Sequence, residues 1–192
     1  MRFKHTAILL VLFALLLGYF LLVERARVID PIDPRVRAIE PVPLFDHSEA
    51  DVVELDLTDG ISRTVIRRAD ESAPWQLVEP VQGDVQTDRV DFFVRELASL
   101  KANRVMTDTT VVEDLAEYGL ASPEVTGTIR LSDGQSFTLF VGDKTPGLTD
   151  RFVRIEDNPD AVFLVGILVP NYIVDFVKKP PVSPTPTPPT SA

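Results

Sequence analysis

An α+β fold is what this sequence predicts: two sequential β-β-β-α-like halves, with antiparallel sheets and helices packed on one side, preceded by one transmembrane helix. Three observations carry the prediction. Residues Thr6 to Val23 form an apolar run without charge, two Asp-Gly turns sit between alternating apolar and polar segments, and a helical or apolar stretch follows each.

Taken in chain order, a short tail of residues 1–5 carries Arg2 and Lys4. The run from Thr6 to Val23 then spans, as a helix, about 27 Å, close to the hydrocarbon thickness of a bilayer. Its backbone would satisfy its own hydrogen bonds, as lipid requires. Tyr19 and Phe20 stand near its far end, where aromatic side chains suit the interface. The competing reading is a cleaved secretory signal, but Glu24-Arg-Ala-Arg-Val-Ile-Asp30 offers no small-residue pair for cleavage. The run is therefore expected to be an uncleaved signal-anchor, with the lipid bilayer as its partner and the cell membrane as the location. Arg25 and Arg27 beyond the run dilute the charge bias that sets orientation. The acidic bulk is expected on the extracytoplasmic side, the alternative being a domain held at the inner surface.

Residues 24–43 hold Pro31, Pro34, Pro41 and Pro43 among charges, which predicts a stiff extended tether. Residues 180–192, Pro-Pro-Val-Ser-Pro-Thr-Pro-Thr-Pro-Pro-Thr-Ser-Ala, cannot bury a core and read as a disordered tail. The folded unit is thus expected over 44–179.

Within it, Val53, Leu55 and Leu57 alternate with Glu54 and Asp56, the period of a half-buried strand. Asp59-Gly60 supplies a hairpin turn, residues 62–68 return as a second strand, and residues 75–78 form a third, ended by Pro80. Val90, Phe93, Val94, Leu97 and Leu100 or Lys101 recur at helical spacing, with Asp84 or Thr87 as cap and Asp91 and Arg95 placed to pair. A shorter helix is expected over 111–118, stopped by Gly119, with Leu120 folding back on Leu115 and Pro123 forbidding continuation.

The pattern then returns. Leu57-Thr-Asp-Gly-Ile-Ser-Arg-Thr-Val65 has a counterpart in Leu131-Ser-Asp-Gly-Gln-Ser-Phe-Thr-Leu139, displaced by 74 positions (57 to 131). Strands 136–141, 151–155 and 161–165 follow, and then the apolar stretch 167–177 where the first half places its long helix. This order predicts an internal repeat.

The formal charge of -10 opposes binding to phosphate backbones, so nucleic acid is not an expected partner. The absence of cysteine removes thiolate chemistry and disulfides, and the two histidines, His5 and His47, have no histidine neighbours with which to hold zinc. Gly142-Asp143-Lys144-Thr145 lacks the upstream glycine and following helix of a phosphate loop and reads as a turn. Glu54, Asp56 and Asp59 lack the glutamate that a calcium loop needs after its glycine. Glu113, Asp114 and Glu117 read as a solvated face, Ser62 and Ser136 have no base, and Trp75 reads as core. No catalytic, cofactor-binding or metal-ligating residue is therefore assigned.

Trp75-x-Leu77-x-x-Pro80, the amphipathic helix ending in Lys101-Ala-Asn-Arg-Val, Asp114-Leu-Ala-Glu-Tyr-Gly-Leu-x-x-Pro123 and Leu139-x-Val-Gly142 together resemble the bacterial domain of unknown function 4340 family. The resemblance covers about 44–179, with Phe152 standing where a tyrosine is expected. It implies an N-terminally anchored protein associated with ABC-type transport systems related to gliding-motility auxiliary components, and no enzyme activity. The expected function is a membrane-anchored, non-catalytic accessory or binding module working with ABC-type transporter subunits. The alternatives are a wall-associated spacer using the Pro/Thr tail and a carboxylate-dependent envelope hydrolase.

Overall fold

The computed structural model of the protein describes residues 41–106 and 115–184, together with Phe13, Leu17 and Tyr19. Two compact units divide the chain, Met1–Glu40 and Pro41–Ala192. In the first, Phe13, Leu17 and Tyr19 are helical with exposed side chains. The rest of the expected span Thr6 to Val23, and the tether as far as Glu40, lie outside the described residues. Among the described residues no helix is long and apolar enough to cross a membrane.

The second unit is α+β, built on one antiparallel sheet. Its first part comprises β1 (Val42–Pro43), β2 (Val52–Thr58), β3 (Arg63–Arg67), β4 (Gln76–Glu79), β5 (Gly83–Asp84) and helix α1 (Thr87–Ala98). After β6 (Lys101–Met106) come β7 (Val125–Leu131), β8 (Ser136–Lys144), β9 (Asp150–Ile155), β10 (Asn158–Gly166) and helix α2 (Leu168–Lys178). All ten strands join in the order β1-β6-β10-β9-β8-β7-β2-β3-β4-β5. Separate sheets were expected. Pairing of β2 with β7, Leu55 opposite Ile129, instead fuses the halves along their first strands. Each half is a four-strand meander followed by a helix where three strands were expected: the short β5 escapes the hydrophobic period that reveals longer strands, and β7 was not anticipated.

The chain leaving each helix crosses to the other half. After α1, β6 pairs with β10, setting Ala102 opposite Val165. After α2, Val182 bridges Val85 just beyond β5. Each member of the second pair is related to one of the first by 80 positions (85 to 165, 102 to 182). The folded unit therefore runs past Lys179: Pro181 accepts from the Gln86 amide and Asp84 from the Ser183 amide. Residues 185–192 of the expected tail lie outside the described residues. At the other end Val42 and Pro43, expected in the tether, form the edge strand, where proline's missing donor costs nothing.

Side chains paired directly across neighbouring strands share a face. Thr64, Leu57, Gly127 and Leu139 line up on the side that α2 covers, where the Thr64 hydroxyl donates to the Phe176 carbonyl at 3.0 Å. Val65, Asp56, Thr128 and Thr138 line up on the opposite side. Thr64 and Thr138 were expected to correspond across the repeat. They face opposite ways, because the second hairpin turns sooner, Leu131 bonding Gln135, than the first, whose Thr58 pairs Arg63. The Asp-Gly sequences match while the registers of the return strands do not.

Between sheet and helices lies one core, in which Phe93 of α1 meets Phe176 of α2 at 5.4 Å and Tyr172 stacks between them and Phe92. The first helix ends at Ala98, and Lys101 onward, expected as its last turn, is strand; no glycine or proline marks the stop, and Ser99 closes it with a backbone bond. Neither expected cap acts, since Gln86 occupies the cap position and its side chain makes no capping bond. Asp91 and Arg95 do not pair: Asp91 accepts from the Trp75 indole at 3.0 Å and Arg95 lies over Phe92. Of the expected helix 111–118, residues 111–114 lie outside the described residues and 115–119 form a turn closed by Leu120 and Ala121 amides on the Leu115 carbonyl.

That turn is seated on β8 through two glycines. Gly119, at φ +67°, would place a Cβ 2.7 Å from the Asp143 side chain, and Gly142 would place one 2.2 Å from the Tyr118 carbonyl oxygen. The Tyr118 carbonyl accepts the Asp143 amide at 2.9 Å, so the approach is hydrogen-bonded as well as tight. Gly142→Ala is expected to lower unfolding stability by about 1–3 kcal/mol, the range of overpacking against groups that cannot yield. Gly83→Ala, which meets nothing within 4 Å, is expected to stay within about 0.5 kcal/mol of the wild type. Urea midpoints of the two full-length variants check both.

Candidate functional site

The side of the sheet away from α2 carries a ladder of ion pairs. Glu54 on β2 stands between Arg67 of β3 and Arg130 of β7 and is 6 % exposed. Asp56 takes two bonds from Arg63, at 2.8 and 2.6 Å. Asp59 is spent on its own turn, its Oδ1 accepting the amides of Ile61 and Ser62, which hold its carboxyl below the ordinary value. The three acids weighed as a calcium loop are thus separately engaged. No group of three or more potential metal ligands gathers among the described residues.

The other candidates disperse too. Glu117 is exposed in the turn before β7, while Glu113 and Asp114 lie outside the described residues, as does His5. His47 packs edge-on to Phe45 at 5.2 Å, and Phe45 in turn packs on Phe137 at 5.2 Å. Trp75 is buried. Phe152 packs on Tyr118, ring centres 4.8 Å apart. Gly142, Asp143 and Lys144 belong to β8, and the turn begins one residue later, where Thr145 bonds Asp150 and Leu148.

What the structure brings together is a cleft of about 590 Å³ beside α2. One face of the helix supplies Leu168, Asn171, Tyr172, Asp175 and Lys178; the ends of β8 and β9 supply Lys144 and Arg151; α1 supplies Arg89, and Glu124 precedes β7. Four cations therefore meet two carboxylates in a chain that is strongly acidic elsewhere. Asp175 is held by Arg89 at 2.5 Å, whose guanidinium also lies over Phe176. Glu124 bridges Arg151 at 2.6 Å and Lys178 at 2.8 Å. Desolvation opposes the charge on Glu124, but these hydrogen bonds outweigh it and keep the carboxyl below its ordinary value of 4.5.

Arg151 is the unusual member. It is 4 % exposed, and of its three nitrogens only Nη2 finds an acceptor, while Nε and Nη1 are buried with none. A buried donor left unmet costs about 1–3 kcal/mol, which makes it a marker for a missing partner. The Lys144 ammonium forms no ion pair among the described residues. Sequence reading passed over both: Lys144 was set aside with the failed phosphate loop, and Arg151 was simply the start of a strand. The one available signal was Arg151 itself, a cation followed by the alternating run Phe152 to Ile155 and falling on that run's buried phase.

Fold and cleft define a small antiparallel α+β domain with a cation-lined cavity against its second helix. The chain belongs to the domain of unknown function DUF4340 family, whose model matches residues 75–182. No match was found among curated proteins or among solved structures. The matched segment opens at the buried Trp75 and closes at Val182, the residue that bridges back to the first meander.

Because Glu124 is more acidic in the folded protein than in the unfolded chain, its contribution to stability is present above pH 4.5 and is lost as pH falls through its lower folded value. Glu124→Gln is expected to be less stable than the wild type at neutral pH, with the gap closing below about pH 4.5. Denaturant midpoints of the two proteins across that range measure it.

Proposed function

We propose that this protein is a non-catalytic binding module, anchored in a membrane by Thr6 to Val23 with its sheet domain on the extracytoplasmic side, and working with an ABC-type transporter or a related envelope complex. The observation that carries the binding part is the chemistry of the cleft. Its two carboxylates are each tied to cations, and Glu124, held ionised by Arg151 and Lys178, is a poor proton donor near neutral pH. Such a surface holds charge in place; it does not pass protons along. The hydrolase alternative needs two converging acids with one desolvated and protonated, the reverse of this arrangement.

The anchoring part rests on the eighteen-residue uncharged run, which is far more stable in lipid than in water. The transporter partner rests on the family resemblance. We infer further that the two meander-helix halves descend from one duplicated unit, supported by the paired crossings after α1 and α2.

Affinity purification of the full-length chain from gently solubilised membranes is expected to recover an ATPase and a permease subunit with it. Recovery of the chain from the soluble fraction, or from membranes as a lone monomer, would overturn the reading.

A further inference from the structure

We propose that the cleft between α2 and the ends of β8 and β9 binds a small molecule with an oxyanion head, carboxylate or phosphate, and a short apolar body. This rests on the binding-module reading and names the class of ligand for it.

Four observations converge. Arg151 is buried with two nitrogens unmet, and an oxyanion is the acceptor a guanidinium pairs with best. Lys144 stands at the same cleft and forms no ion pair among the described residues. Leu168 and Tyr172 give the cavity an apolar wall, and its volume of about 590 Å³ falls in the range of small-molecule sites. Finally, a local excess of positive charge within an acidic protein focuses anions on the cleft and away from the remaining surface.

The first half supplies an internal control. Beside α1 lies a second cleft, lined by Asp91, Val94 and Arg95, which stand 80 positions before Asn171, Val174 and Asp175 (91 to 171). There the buried Trp75 indole donates to Asp91, and Arg68 lies 4.6 Å over its ring. The Arg68 guanidinium is fully spent, donating to the carbonyls of Val52, Glu49, Ala50 and Glu71. The corresponding space is smaller, about 320 Å³, and each nitrogen of its Arg68 meets a carbonyl, while Arg95 lies over Phe92. Beside α2 Tyr172 lines the cavity, and Nε and Nη1 of Arg151 meet no acceptor among the described residues. One half has closed its cleft with protein groups and the other has kept it open.

The test uses the detergent-solubilised full-length chain, titrated calorimetrically with inorganic phosphate and, separately, with succinate, against sodium chloride at matched ionic strength. Saturable binding of either anion is expected, and which of the two binds tells a phosphate from a carboxylate head. Lys144→Gln, at a side chain with no ion pair among the described residues, is expected to weaken it about tenfold, the loss of one charge-assisted hydrogen bond. Lys101→Gln, a cation on β6 outside the cleft, should leave it unchanged. No saturable binding of either anion, equal heats from chloride, or equal weakening by both variants would each overturn the proposal. Loss of anion binding with transporter subunits still co-purifying refutes the ligand alone, whereas anion binding by a chain that recovers no transporter subunit refutes the accessory role alone.

Discussion

Everything in this domain hangs on the pairing of β2 with β7. Each is the first strand of its meander, and each has β3 or β8 on its other side, so neither presents an edge. Leu55 and Ile129, opposite one another at this junction, are both completely buried. Fusing the halves here turns two small sheets into one long platform and brings α1 and α2 together on one side, where Phe93, Tyr172 and Phe176 interlock. Had the halves packed face to face, the helices would lie apart and Arg89 of α1 could not reach Asp175 of α2. The cleft exists because the sheet is continuous.

Much of the architecture was legible because it is written in local chemistry. The strand around Leu55 shows a period of two, α1 shows a helical stripe, and Gly119 announces its turn. Elements without a period of their own were invisible. The short β5 has no pattern to display, and β6 follows α1 so directly that Lys101 and Val105 extend the helical stripe on paper. What decides against helix is an unoccupied ladder on β10, a contact that forms across more than fifty residues of intervening chain. The two halves agree in the order of their elements and differ in detail, since Thr64 and Thr138, which match in sequence, fall on opposite faces.

The family signature and the cleft differ in the same way. Tyr118-Gly119-Leu120 and Val141-Gly142 read as two separate motifs, yet they are one contact seen from both sides: each glycine leaves room for backbone or side chain of the other segment. Signatures of this kind record close approach, and they identify the fold. The cleft leaves no comparable trace, because Lys144, Arg151, Glu124 and Lys178 come from four elements, and none is unusual where it stands. Only burial without partners separates Arg151 from an ordinary surface arginine.

The crossings after α1 and α2 bear on how the domain is made. Because β6 belongs to the edge of the second meander and Val182 to the edge of the first, neither half contains its own closing strand. A chain emerging from the ribosome can form the first meander early but cannot finish it until residues near 182 have cleared the exit. The architecture thus withholds its final cooperative step until residues near 182 are free to fold, and a nascent chain stalled halfway would display an unpaired edge.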